Sequence, residues 1–166
     1  METCKTTYET RFGRGLLVWR GGMLEEHRLP AGGRRNRPPQ RGAGHYGPHT
    51  ILAARLESYF SGRPTDFAGL DLPLAHAGWT DFQEAVAAAL LAVPYGATIS
   101  YGGLAATAGY PRASRAVGSF MARNPWPVIF PCHRVVRSGG IAGNFSSGAA
   151  WKKRLLGLEG VTLRPL

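Results

Sequence analysis

The segment PAGGRRNRPPQRGAGHYGPH, residues 30–49, sets the first limit on how this chain can fold. Its prolines remove backbone donors, its glycines bring no side chain to pack, and its four arginines follow no helical or strand period. No regular element is expected to run through it, and it reads as a long, flexible loop. The chain must organise itself separately on either side, and the two sides are patterned differently. Before the loop, GLLVWR and MLEEHRL flank Gly21-Gly22, a pair suited to a two-residue hairpin turn. After it, apolar residues recur at helical spacing. The expected class is α+β.

The helical side can be followed element by element. Thr50 can cap a helix in which Leu52, Leu56, Tyr59 and Phe60 share a face, with Gly62 at the exit. DFAGLDLPLAHAGW is a link punctuated by Pro and Gly, so a boundary is expected near Gly78, dividing the chain into 1–78 and 79–166. TDFQ is a capping box, Thr80 with Gln83, and Phe82, Val86, Leu90 and Val93 make the apolar stripe of a helix that stops at Pro94. Ser100 can cap a short helix with Leu104, Ala105 and Ala108 inward. Gly109-Tyr110-Pro111 turns the chain, and RASRAVGSFMAR resumes helical spacing, which together suggest a helix-turn-helix. This second helix is rich in small residues, Ala113, Ser114, Ala116, Gly118 and Ser119. Such a helix can bring its backbone close to a surface, and Arg112, Arg115 and Arg123 give it charge. NPWPVIF is expected to be extended and to lead into Pro131-Cys132. After the loop SGGIAGNFSSGA, a last helix is expected over Ala149–Leu156, stopped by Gly157, with Glu159 just beyond.

Charge narrows the partners. The 166 residues carry a net charge of +10 and a pI near 10.4, which predicts attraction to polyanions. From Ser100 to Leu158 the basic residues are Arg112, Arg115, Arg123, Arg134, Arg137, Lys152, Lys153 and Arg154, and there is no acid. Nucleic acid is the expected partner. No apolar run approaches the roughly 18–20 residues that span a bilayer. The start, METCKTTYETRFGRG, lacks the apolar core of a secretory signal. Cys4 and Cys132 make no disulfide framework and suit a reducing, cytoplasmic setting. One thiol with the scattered His27, His45, His49 and His76 is a weak set for zinc, so no metal or cofactor is expected.

Cys132 lies inside the acid-free stretch, in VIFPCHRVV. An ordinary cysteine is only about 3 % thiolate at neutral pH. A neighbouring imidazole and several arginines favour the anion. Pro131 fixes the backbone before it. His133 need not face the sulfur directly, so a relay through water is as open as direct contact. Glu159 is the only acid after Glu84, and it could orient His133 as the third member of a triad. A Cys-His pair alone also suits a packed core, so at this level the thiol remains filler, ligand or nucleophile.

Several blocks in order resolve the choice: PCHRVV, GNFS and LLGLEG, with ISYGGLA, ASRAVG and RNPWP upstream. Over about Phe82 to Gly160 the chain resembles the O6-alkylguanine-DNA alkyltransferase family. The first half is similar only in pattern, to that family's ribonuclease-H-like domain, a small antiparallel sheet with a helix; the second half would be its helical, winged-helix-like domain. The resemblance implies direct-reversal DNA repair without turnover or cofactor. Cys132 would accept the alkyl group from O6-alkylguanine, and from O4-alkylthymine, in double-stranded DNA. His133 would act as base through a water, Glu159 would hold His133, and Tyr101 would protonate a ring nitrogen of the leaving guanine. The target nucleotide would be flipped from the minor groove. Arg115 would fill the vacated stack, with Ser114, Ala116, Ser119 and Arg123 on the DNA-facing helix. Cys132 and Val135 would offer carbonyls to the guanine amino group, Ser146 would lie near its O6, and Asn124 would brace the turn. Departures occur at Phe145, where a tyrosine is frequent, at Ser147, where a glycine is frequent, and at Ala87, where many relatives carry tryptophan. The implied protein is a monomer, with cooperative binding along DNA left open. Two other readings exist. A lesion sensor without repair would lack the acceptor cysteine, which is present here, and no hydrolase block accompanies the Cys132, His133, Glu159 set.

Overall fold

The computed structural model describes residues 2–32, 48–67 and 78–164. It divides into two compact units, the first holding the described residues through Thr65 and the second Asp66, Phe67 and the chain from Gly78 onward. Residues 33–47 of the expected loop, and residues 68–77 of the expected link, lie outside the described residues.

In the first unit, β1 (Thr3–Thr10), β2 (Gly13–Arg20) and β3 (Met23–Gly32) form an antiparallel sheet in the order β1-β2-β3. Gly21 and Gly22 make the β2–β3 turn, both at positive φ, as the glycine pair predicts. β3 is longer than its hydrophobic pattern suggested: Ala31 and Gly32 still pair with Arg14 and Gly13, so Pro30 belongs to the strand and not to the loop. Proline is tolerated because β3 is an edge strand of this sheet. Helix α1 (Pro48–Phe60) starts two residues before the expected Thr50 cap, and it buries Leu52, Leu56, Tyr59 and Phe60. Beneath it, the Tyr8 hydroxyl and His27 Nε2 are hydrogen-bonded at 2.6 Å, both side chains buried.

The second unit carries α2 (Asp81–Leu91), β4 (Ile99–Ser100), α3 (Tyr101–Thr107), α4 (Ser114–Met121), a 3-10 turn at Cys132–Arg134, β5 (Val135–Val136) and α5 (Ala149–Leu158). The Thr80–Gln83 capping box is present on α2, with both reciprocal bonds formed. Ser100 caps α3 through Gly103 N–H. α3 and α4 are the expected helix-turn-helix, and α4 turns Val117, Phe120 and Met121 inward.

Two segments depart from the sequence reading. NPWPVIF is not extended. It folds into a tight turn in which Phe130 N–H donates to Trp126 O (2.8 Å) and Val128 takes φ +76, a left-handed conformation rare for a β-branched residue. Burial of Trp126, Val128, Ile129 and Phe130 holds this conformation against its local cost. The last helix does not stop at Gly157. It runs on to Leu158, and Gly160 at φ +75 closes it: Val161 N–H bonds Leu156 O and Gly160 N–H bonds Gly157 O, the Schellman pattern. Glu159 is therefore the C-cap residue, fixed by the helix end, and not part of a following coil.

Candidate active site

The turn at Cys132 is placed from both ends. Upstream, Asn124 ties it down: its Nδ2 donates to Phe130 O (2.8 Å) and to Cys132 Sγ (2.9 Å), while its Oδ1 accepts from Trp126 N–H (2.9 Å). Downstream, β5 pairs in parallel with β4, Ile99 against Val135 and Ser100 against Val136. That pairing delivers Tyr101, the next residue after β4, to the same side of the unit as Cys132. Asn124→Ala should lower the melting temperature by an amount equivalent to about 1–3 kcal/mol, since Trp126 N–H loses its acceptor and Phe130 O keeps only the Cys132 N–H of its two donors. It should also slow alkylation of Cys132 at neutral pH, because a bond favouring the thiolate is gone; thermal denaturation and peptide-resolved alkylation rates read the two effects.

Cys132 is 3 % exposed. Burial pushes its thiol up to about 11, while the Asn124 hydrogen bond and the Lys152 charge pull against burial. Proximity to a histidine is thus not enough to make this sulfur a resting anion; the thiolate must be generated on demand.

Behind it, His133 and Glu159 are buried, and His133 Nε2–H donates to Glu159 Oε1 at 2.8 Å. The same carboxylate accepts from Arg134 Nε (3.0 Å to Oε2), from the second Arg134 nitrogen Nη2 (3.1 Å to Oε1) and from Gly96 N–H (3.0 Å). Burial alone would raise the carboxyl of Glu159, but its bonds and charge contacts with His133 and Arg134 outweigh that and hold it at about 2. Burial lowers His133 against the pull of Glu159, so the imidazole is neutral at pH 7. An ionised carboxylate at Nε2 fixes the proton there, so Nδ1 is the basic nitrogen and any proton relay toward Cys132 runs through it.

The other residues singled out in the sequence are spread over α4, α3, the loop before α5, and β5. Ser114, Arg115, Ala116, Ser119 and Arg123 are all exposed, and together they make the outer face of α4 and the turn after it. Tyr101 opens α3 and donates from its hydroxyl to Asn144 O (3.3 Å); burial raises it, as does the Cys132 charge. Phe145 is half-buried and Ser146 and Ser147 are exposed, on the loop before α5. Val135 N–H bonds Cys132 O, and Val135 O accepts from Lys152.

Lys152 and Arg134 entered the sequence reading only as positive charges, yet both are buried in the site. The signal for Lys152 lay in helical spacing: positions 152, 155, 156 and 159 share one face of α5, and a lysine sits there among Leu155, Leu156 and Glu159. Among the described residues no group of three His, Cys, Asp or Glu side chains is placed to hold a metal ion.

Comparison with known proteins matches this unit to one family model, the DNA-binding domain of 6-O-methylguanine DNA methyltransferase, over residues 81–161. A methylated-DNA–protein-cysteine methyltransferase of Methanosarcina barkeri is 48 % identical over 112 residues, covering 68 % of this chain and 68 % of that one. A protein of the same name from Mycobacterium tuberculosis is 39 % identical over 150 residues, covering 90 % and 84 %. Among solved structures, Mycobacterium tuberculosis OGT in complex with DNA aligns with a TM-score of 0.72 at 35 % identity, covering 94 % of this chain and 92 % of that one. The O6-methylguanine-DNA methyltransferase of Pyrococcus kodakaraensis aligns with a TM-score of 0.70 at 27 % identity, covering 95 % and 100 %.

Proposed function

The chain belongs to the methylated-DNA–protein-cysteine methyltransferase family, and from that premise we propose that Cys132 is its alkyl acceptor and the exposed face of α4 its DNA-binding surface. The protein repairs alkylated DNA by taking the alkyl group onto its own cysteine. Of its two thiols, Cys4 is exposed on β1, whereas Cys132 lies within the matched domain. The observation that carries the assignment is the bond from His133 Nε2 to Glu159, which gives the residue beside Cys132 a fixed tautomer.

The thiol proton passes to His133 Nδ1 through a water. The sulfur attacks the alkyl carbon in line, a C–S bond forms, and the C–O6 bond breaks with its electrons left on guanine. Tyr101 donates a proton to a ring nitrogen of the departing base and recovers one from the imidazolium. The product is a thioether and unmodified guanine, and since a thioether carbon has no comparable leaving group, each molecule acts once. O4-alkylthymine presents the same alkyl–oxygen bond and falls within the same chemistry.

A sulfur this deeply buried cannot reach a stacked base, so the lesion must leave the duplex at a cost of a few kcal/mol. Ser114, Ala116 and Ser119 keep the outer face of α4 low enough for a minor groove only about 6 Å wide. Arg115, exposed among them, fills the gap left by the flipped nucleotide. Asn124 holds the turn, Val135 O faces the guanine amino group, and Phe145, Ser146 and Ser147 form the wall beside O6. No described helix is long and apolar enough to cross a membrane. The expected setting is the cytoplasm, at the nucleoid if the cell is bacterial or archaeal, with the protein acting as a monomer.

Arg115→Ala tests the flipping role. It should slow repair of O6-methylguanine in a duplex by about 10–100-fold, the equivalent of about 1.4–2.8 kcal/mol. Reaction with free O6-benzylguanine should stay within about twofold of wild type, since a free base has no stack to leave. Equal losses on both substrates would contradict it.

A further inference from the structure

Lys152 has no solvent exposure, and it is held on α5 by two backbone carbonyls: its Nζ donates to Val135 O at 2.5 Å and to Asn144 O at 3.3 Å. Its ammonium also lies 5.8 Å from the centre of the Tyr101 ring. Among the described residues no carboxylate is within ion-pair distance of it. Glu159, the only acid in the sequence after Glu84, is taken up by His133, Arg134 and Gly96. Burying an ammonium without an anion costs several kcal/mol, and a leucine or methionine would fill the same stripe of α5 without that cost. The position therefore calls for a positive charge.

The surroundings indicate which charge it serves. Val135 follows the 3-10 turn that Cys132 opens and bonds back to the Cys132 carbonyl, so Lys152 is anchored one turn from the sulfur. Asn144 O accepts from both Lys152 and the Tyr101 hydroxyl. The other cations nearby are spent: Arg134 is paired with Glu159, and Arg137 is exposed to water. His133 is neutral.

We propose that Lys152 is the counter-charge of the site, a positioning residue that favours the Cys132 thiolate and fixes the Val135 and Asn144 carbonyls on the pocket wall. This rests on the reading of Cys132 as acceptor. The influence is mutual: the lysine charge favours ionised sulfur, and ionised sulfur favours charged lysine, which burial otherwise brings down to about 8. Lys152 thus remains a cation at neutral pH while staying close to its point of titration.

The test uses iodoacetamide, which reacts with thiolate by displacing iodide and needs neither DNA, Tyr101 nor guanine. Alkylation is scored on the Cys132 peptide, apart from Cys4. Lys152→Met should slow this reaction at pH 7 by about 10–100-fold, as a loss of one to two units in thiol acidity requires, and Lys152→Arg should recover most of the rate. An unchanged iodoacetamide rate in Lys152→Met would overturn the proposal. If that variant does not fold, the wild-type profile decides. The titratable and charged groups facing the pair are Tyr101 from α3, His133, Arg134 and Glu159 at the turn and C-cap, and Arg137 after β5. Of the pair itself, Lys152 is the member that discharges near pH 8. The wild-type rate should accordingly climb less than tenfold per pH unit above pH 8, and an uninterrupted tenfold rise would contradict the role. Repair of an O6-methylguanine duplex by wild type, run alongside, reports on the acceptor assignment separately.

Discussion

Cys132→Ala is expected to abolish alkyl transfer, with a loss of more than about 10⁴-fold, while binding to an O6-methylguanine duplex persists. The second unit contains no other sulfur nucleophile, and Cys4 lies on β1 of the first unit, so no thiol there can take over. Alanine removes one buried sulfur and its bond from Asn124, a change expected to cost about 1 kcal/mol or somewhat more. The outer face of α4 does not depend on it. Binding without repair in the variant, against binding with repair in wild type, separates an acceptor from a lesion sensor. If both proteins bind and neither repairs, the sensor reading holds.

Glu159→Gln is expected to be the most damaging change outside the nucleophile, and it acts twice. The carboxylate is the partner of buried Arg134 and the acceptor for His133, so removing its charge leaves a buried guanidinium uncompensated. Breaking such a pair costs about 3–5 kcal/mol. In the protein that still folds, His133 loses the anion that fixes its tautomer and stabilises its protonated form, and alkyl transfer should slow by about 10²–10⁴-fold. The pH dependence of stability carries the same signature. Glu159 ionises at about 2 in the folded protein against an ordinary 4.5. Its contribution is complete above 4.5 and lost as pH falls toward 2. His133 is also lowered from its ordinary 6.5, so it disfavours the folded state once pH falls below that value. Wild type should lose stability in two stages on acidification, and Glu159→Gln should lack the lower one. Melting temperatures between pH 7 and 3 measure this; identical acid profiles would contradict the assigned charge state.

Much of this site was legible because its elements are locally encoded. The Thr80–Gln83 box, the Ser100 cap and the small-residue run of α4 declare themselves within a few residues, and each is found where it was read. Glu159 could be matched to His133 because no other acid follows Glu84 in the chain. What escaped depends on tertiary structure. β1 carries the polar sequence TCKTTYET and buries only Tyr8 fully, so alternation gives almost no signal for it. Val128 is forced left-handed by the packing of its neighbours, against the preference of its own side chain. α5 passes Gly157 because closure is supplied by Gly160 three residues on. Lys152 shows in the sequence only as one positive charge among several, and helical geometry sets it beside Leu155, Leu156 and the pocket wall. Arg134 likewise became an ion-pair partner only when Glu159 was brought beside it.

The central claim is that Cys132 receives the alkyl group, and peptide mass spectrometry tests it most directly. Purified protein is incubated with one equivalent of duplex carrying a single O6-methylguanine, then digested. The account predicts that the peptide containing Cys132 gains the mass of one methyl in place of one proton, once per molecule, while the Cys4 peptide is unchanged and the duplex regains guanine. An unmodified Cys132 peptide after the lesion has disappeared, or methyl found on Cys4, would contradict it.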